Sequence, residues 1–67
     1  MAIAKVTEII SSSSKSFEDA IVNGISRASS TLKNIEGAWV KSHKVVVKDG
    51  KIVEFRTVLK VSFVLAD

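Results

Sequence analysis

The alternation of apolar and polar positions along this 67-residue chain changes period twice. From Ile3 to Ile10 the segment is rich in β-branched residues, carries charge at Lys5 and Glu8, and stops at the run "SSSS", which reads as a strand and its exit. From Phe17 the period becomes three and four. Phe17, Ala20, Ile21, Gly24, Ile25, Ala28 and Leu32 form one stripe, and Glu18, Asp19, Asn23, Ser26, Arg27, Ser30 and Lys33 fall opposite, so an amphipathic helix with one buried side is expected. Either Ser13 or Ser16 can cap it, and Ser16-Phe17-Glu18-Asp19 fits a capping box in which Asp19 reaches back. Glu18 and Asp19 suit the positive end of the helix dipole and Lys33 the negative end. Gly24 in mid-helix costs about 1 kcal/mol against alanine, which predicts a close approach over it.

Strand chemistry returns from Ile35 to Val47 and again from Ile52 to Leu65, joined by "KDGK" at 48–51. Asp49-Gly50 supplies the positive φ angles of a tight hairpin. On the last strand the odd positions Val53 to Leu65 are apolar except for Thr57, and this face is expected to meet the helix. The even positions mix Ile52, Val58 and Val64 with Glu54, Arg56, Lys60 and Ser62. The order is therefore β-α-β-β, an α+β fold. A helical crossover makes the first two strands parallel, and the hairpin sets the third against both, so the third takes the centre of a three-stranded antiparallel sheet with the helix on one face. The far face is too apolar for water and too polar for a dry core, which fits a partly wet subunit contact.

Length sharpens this. The chain is read as one domain spanning 1–67, and a domain of this size buries only about 60% of its unfolded surface. There is no cysteine to staple it and one histidine, too few for a structural zinc set, while 46% of the residues are hydrophobic. Oligomerisation is the expected source of further stability. The N-terminal "MAIAKVTEII" lacks the apolar run of a signal peptide, and no stretch is long enough to span a bilayer, so a soluble, cytoplasmic protein is expected.

The formal charge of +3 permits an anionic partner, but the lysines are scattered. Trp39, Lys41 and His43, counted by twos, share one strand face. A single aromatic without the glycine-aromatic signature of sheet-based RNA readers argues against nucleic acid. Nor is there a catalytic constellation: His43 sits beside lysines, and Glu8, Glu36 and Glu54 fall one to a strand, as solvated carboxylates do. The serine run offers N–H groups to an anion or, more simply, caps the helix. No enzyme activity is expected.

Several segments together resemble the dodecin family over nearly the whole chain: "KVTEII" with the serine loop, "SFEDAIVNGISRASSTLKNI", "VKDGKI" at the hairpin, and above all "LKVSFVL" at the end. The resemblance implies a hollow homododecamer with helices outside and sheets facing in. It also implies non-catalytic flavin binding, riboflavin or FMN, in pairs at two-fold contacts. In typical members a tryptophan at the start of the second strand stacks on the flavin and a glutamine on the third bonds its polar edge. Here the ungapped count puts Gly37 at the tryptophan position and Arg56 at the glutamine position. Trp39 stands two residues on, about 6.6 Å along the strand. The pocket implied is Glu36, Gly37, Trp39 and Arg56. Trp39 has two readings, part of a displaced ligand platform, or an assembly or core contact. A subset of dodecin-like proteins lacks these flavin residues, some of them being described as binding calcium, and this chain looks closer to that subset; the alternative for it is a flavin-free structural assembly holding calcium or other ions.

Overall fold

The structure is a computed structural model that describes residues 3–65. Its elements are β1 (Ile3–Ser13), α1 (Phe17–Ser29), β2 (Ile35–Lys48) and β3 (Lys51–Leu65). The sheet order is β1-β3-β2, antiparallel throughout, with the longest strand in the centre as expected. Asp49 and Gly50 take φ of 53° and 75° in the β2–β3 turn, which only a sequence tolerant of left-handed backbone allows.

β1 runs three residues beyond the expected Ile10, because Ser11, Ser12 and Ser13 continue the ladder opposite Thr57, Arg56 and Phe55. The serine loop is thus half strand. Its remaining hydroxyls serve the helix entry: the Ser16 hydroxyl accepts the Asp19 N–H at 2.9 Å, so Ser16 is the cap. The buried Ser13 hydroxyl accepts the Lys15 N–H and donates to the Asp19 carboxylate at 2.6 Å. Asp19 therefore turns to Ser13, and the reciprocal half of the capping box is not made. At the other end the helix stops at Ser29, earlier than the Leu32 expected from the stripe. Lys33 consequently lies past the last turn, and Arg27 is the cation placed at the negative pole.

α1 packs on β1 and β3 through its small residues Ala20, Gly24 and Ala28. Opposite them, Thr57, Leu59 and Val61, three successive inward positions of β3, are fully buried. A Cβ added at Gly24 would lie 2.8 Å from the Ser11 Cβ, so glycine lets the helix settle onto β1. The core is as thin as the length implies. Among the described residues the buried hydrophobics are Ala20, Ala28, Leu59 and Val61, while Ile3, Val6, Ile10, Val22, Trp39 and Val47 stay exposed.

Candidate functional site

The candidate site lies on the face of the sheet turned away from α1, here called the open face. Which residues reach it is decided by the β2–β3 ladder, which is irregular in three places. Ile35 pairs with Phe63 and Gly37 with Ser62, leaving Glu36 as an extra residue. Val40 pairs with Leu59 and Ser42 with Val58, leaving Lys41 extra. Val46 pairs with Glu54 and Val47 with Ile52, leaving Val53 extra on the other strand. Each is a β-bulge, two residues opposing one, and each resets the alternation of faces.

The bulge at Lys41 corrects the expectation that Trp39, Lys41 and His43 share a face. Trp39 pairs with Lys60 on the open face, whereas His43 pairs with the buried Thr57 on the helix side. There the imidazole stacks on Phe17 at 4.1 Å between centroids and an interplanar angle of 7°, and Phe17 meets Phe55 edge-on. His43 is thus a contact between the helix start and β2, far from any ligand platform on the other face.

On the open face, Glu8, Lys60 and Trp39 form one row across β1, β3 and β2. The indole is 50% exposed. The Lys60 ammonium lies 5.9 Å from its centroid, within cation–π range. Glu8 does not close on its strand partner Lys60; it pairs instead with Lys41, 3.4 Å away, the residue the bulge adds. Gly37, opposite Ser62, is one step along the same face, and its carbonyl accepts the Ser62 hydroxyl at 3.1 Å. A Cβ there would meet only the Ser62 oxygen, at 3.5 Å, so the space beside Gly37 is open and not filled by neighbouring backbone.

Arg56 faces the same way but pairs with Lys44, four residues along β3 from Lys60. That is about 13 Å at strand rise. Its Nε donates to Glu54 at 3.0 Å. The Arg56 guanidinium, and after it the Ser12 hydroxyl, hold the Glu54 carboxyl below the ordinary carboxylate range. Glu36 lines a cleft of about 450 Å³ between α1 and the start of β2, with Ile21, Ile25, Ser29, Ile35, Gly37 and Ala38. One chain therefore brings Gly37 and Trp39 together, sets Glu36 at the helix-side cleft and keeps Arg56 at a distance. Lys60 is the neighbour that the sequence reading does not single out, although counting by twos from Arg56 already places it on this face.

An exposed indole beside open space and flanked by lysines can stack a planar ring. The same surface holds no paired nucleophile and base, and among the described residues no three His, Cys, Asp or Glu side chains group to hold a metal. No helix there is long and apolar enough to cross a membrane.

Comparison with known proteins agrees with this architecture. The structure superposes on the dodecin of Streptomyces davaonensis with a TM-score of 0.94 at 35% identity, covering 98% of this chain and 97% of that one. The dodecin of Streptomyces coelicolor gives 0.94 at 27% identity, with 98% and 94% covered. The calcium-chelating immunodominant antigen of Mycobacterium tuberculosis, a calcium dodecin, gives 0.84 at 34% identity, with 96% and 91% covered. No curated protein matches the sequence significantly. The sequence model of the family described as Dodecin matches residues 3–66, and the chain belongs to the dodecin family.

Proposed function

We propose that this protein is a non-catalytic, cytoplasmic small-ligand-binding protein, a single domain over 1–67 that assembles as a hollow homododecamer and holds riboflavin or FMN between its subunits. The observation that carries the reading is Trp39: a half-exposed indole on the open face, beside the gap at Gly37, in a chain whose own core cannot cover its apolar surface. Stacking on an aromatic ring and burial between copies are all the function requires. Gly37 leaves the space for the flavin and Trp39 supplies the platform, while Glu36, at the helix-side cleft, flanks Gly37 from the other face. Arg56 is too far along β3 to touch a ring on its own Trp39, so it closes the pocket from a neighbouring copy, donating to the flavin carbonyls.

The test is a fluorescence titration of riboflavin and FMN with protein whose mass has been fixed by light scattering. Quenching of flavin and indole emission that saturates near one flavin per subunit supports the reading, and Trp39→Ala is expected to weaken binding more than tenfold, about 1.4 kcal/mol. Unchanged flavin emission at micromolar protein removes it.

A second reading draws on the 34% identity to a calcium dodecin: a flavin-free assembly whose ion sites are built from carboxylates of several chains. Calcium takes six to eight oxygens, so Glu8, Glu36 and Glu54 would have to converge across subunits. A melting temperature that neither calcium nor a chelator moves disposes of it.

A further inference from the structure

The chain holds two dipeptides in which glycine follows an acidic or amide side chain, Asn23-Gly24 and Asp49-Gly50, and the fold treats them oppositely. In either one the glycine's backbone nitrogen can close on the Cγ of the preceding residue to form a cyclic succinimide, because glycine has no side chain to obstruct the approach. From the sequence alone Asn23 is the faster site: an amide loses ammonia at neutral pH, whereas a carboxylate must first be protonated to lose water. The fold reverses that order. Gly24 is buried at mid-helix in α1, its N–H is taken up in the helix ladder, and a Cβ there would lie 2.8 Å from the Ser11 Cβ. The Asn23 amide is itself engaged, donating to the Asp19 carboxylate at 3.0 Å. Ring closure at Asn23 would have to swing its ψ out of the helical range, breaking the ladder and pressing the helix into β1. Asp49-Gly50 carries none of these restraints. Both residues are exposed in the β2–β3 turn, and nothing lies within 4 Å of where a Gly50 Cβ would stand. The Asp49 carboxylate joins no ion pair among the described residues. Asp49 is also held at φ 53°, where the Cβ of an L-residue crowds the carbonyl oxygen that follows.

We infer that Asp49 is a site of spontaneous isoaspartate formation in the folded protein, and that the fold protects Asn23 from the same chemistry. The Gly50 nitrogen bonds to the Asp49 Cγ, and its proton leaves with the hydroxyl of the protonated carboxyl as water, giving the succinimide. Water then adds to the ring. Cleavage between Cγ and nitrogen leaves the chain running through Cα and restores aspartate only when the main-chain carbonyl keeps its bond to nitrogen. Cleavage between nitrogen and that main-chain carbonyl routes the chain through Cβ and Cγ and leaves the α-carboxylate as the side group. One water leaves and one returns, so mass and charge end unchanged and no oxidant or cofactor is required. In the product Cβ belongs to the main chain, which frees the residue from the crowding at positive φ. The turn gains one backbone atom and no longer matches the twist of its strands, so loosening is expected at the adjoining pairs Lys48–Lys51 and Val47–Ile52.

The experiment ages the full chain at neutral pH, once folded and once unfolded in urea, and reads both sites by peptide mapping. Electron-transfer fragmentation separates isoaspartate from aspartate, and loss of the Asn23 amide shows as a change of mass. In the unfolded chain Asn23 is expected to convert before Asp49; in the folded protein isoaspartate is expected at position 49 while Asn23 stays intact. Asp49→Asn keeps a turn-forming pair and exchanges the leaving group for ammonia, so position 49 is expected to convert about tenfold faster in the folded variant. Conversion of Asn23 ahead of position 49 in the folded protein overturns the inference. So does an Asp49 that survives in the folded protein for as long as the unfolded chain needs to convert it, or an Asp49→Asn variant no faster than the wild type. Flavin enters none of these readouts, so the result stands apart from the function proposed above.

Discussion

β1 and β2 flank the same central strand, but they are built differently. β1 pairs with β3 over eleven consecutive residues without a shift, and the helix packs over it through Gly24 and Ser11. β2 pairs over a similar length with three bulges, and its residues 36–44 are exposed. Regular pairing keeps one set of side chains under the helix. The bulges let β2 send Gly37 and Trp39 to one face and His43 to the other, where it meets Phe17. One ladder carries the fold and the other aims the site.

The sharpest way to break this comparison is to delete one residue from each ladder. Removing Ile10 from β1 while Ser11 stays opposite Thr57 slides the preceding residues by one, which turns Glu8 toward the helix and Ile9 to the open face. The expected cost is more than about 2 kcal/mol, the burial of an isoleucine lost and a carboxylate pressed inward. Removing Lys41 from β2 leaves Val40 opposite Leu59 and Ser42 opposite Val58, so every other side chain keeps its face. That deletion is expected to cost under about 1 kcal/mol, the worth of an exposed ion pair with Glu8. Urea unfolding of both variants checks it; equal costs would mean that the bulge is no spare residue.

A smaller effect is expected where the helix meets β1. Gly24→Ala gains helix propensity of about 1 kcal/mol but drives a methyl to 2.8 Å from the Ser11 Cβ, and overpacking costs about 1–3 kcal/mol. A net loss of about 1 kcal/mol follows. Combining it with Ser11→Gly relieves the clash, so the double variant should lose less than the two singles summed, by at least about 0.5 kcal/mol. Strict additivity in the cycle would mean that the close approach is not what fixes glycine at position 24.

Most of the fold was legible in the sequence, while the end of β1 and the bulges of the second ladder were not, for a physical reason. The helix stripe, the Ser16 cap, the Asp49-Gly50 turn and the buried odd positions of β3 are each marked by residue types that only one local geometry favours. A bulge carries no such mark: Glu36 and Lys41 are ordinary strand residues, and only their pairing with β3 makes them extra. Counting by twos therefore put His43 beside Trp39, and the stack on Phe17 could not be read from residues 26 apart in the chain. Of the pocket implied by family resemblance, Gly37 and Trp39 do adjoin. The separation of Arg56 from both was legible too, since counting out from the Asp49-Gly50 turn already sets Lys60, and not Arg56, opposite Trp39.

The smallest expected effect sits at the third bulge, where Glu54 adjoins the extra residue Val53 and accepts from Arg56 on the same strand. Because the folded state holds the Glu54 carboxyl below its unfolded value, the proton binds the unfolded chain more readily. The pair's stabilisation is then fully present above about pH 4.5, the unfolded value, and is lost as pH falls through the lowered folded value. The carboxylate is solvated and the pair half-exposed, so screening keeps the effect slight. Melting curves of the wild type and Glu54→Gln should differ by a constant small amount above about pH 5 and converge as pH falls through the lowered folded value of Glu54. Arg56→Met should remove most of that convergence, since the guanidinium is the larger cause. If convergence persists without Arg56, the Ser12 hydroxyl of β1 is the partner that matters, and the regular ladder reaches further into the site than its pairing suggests.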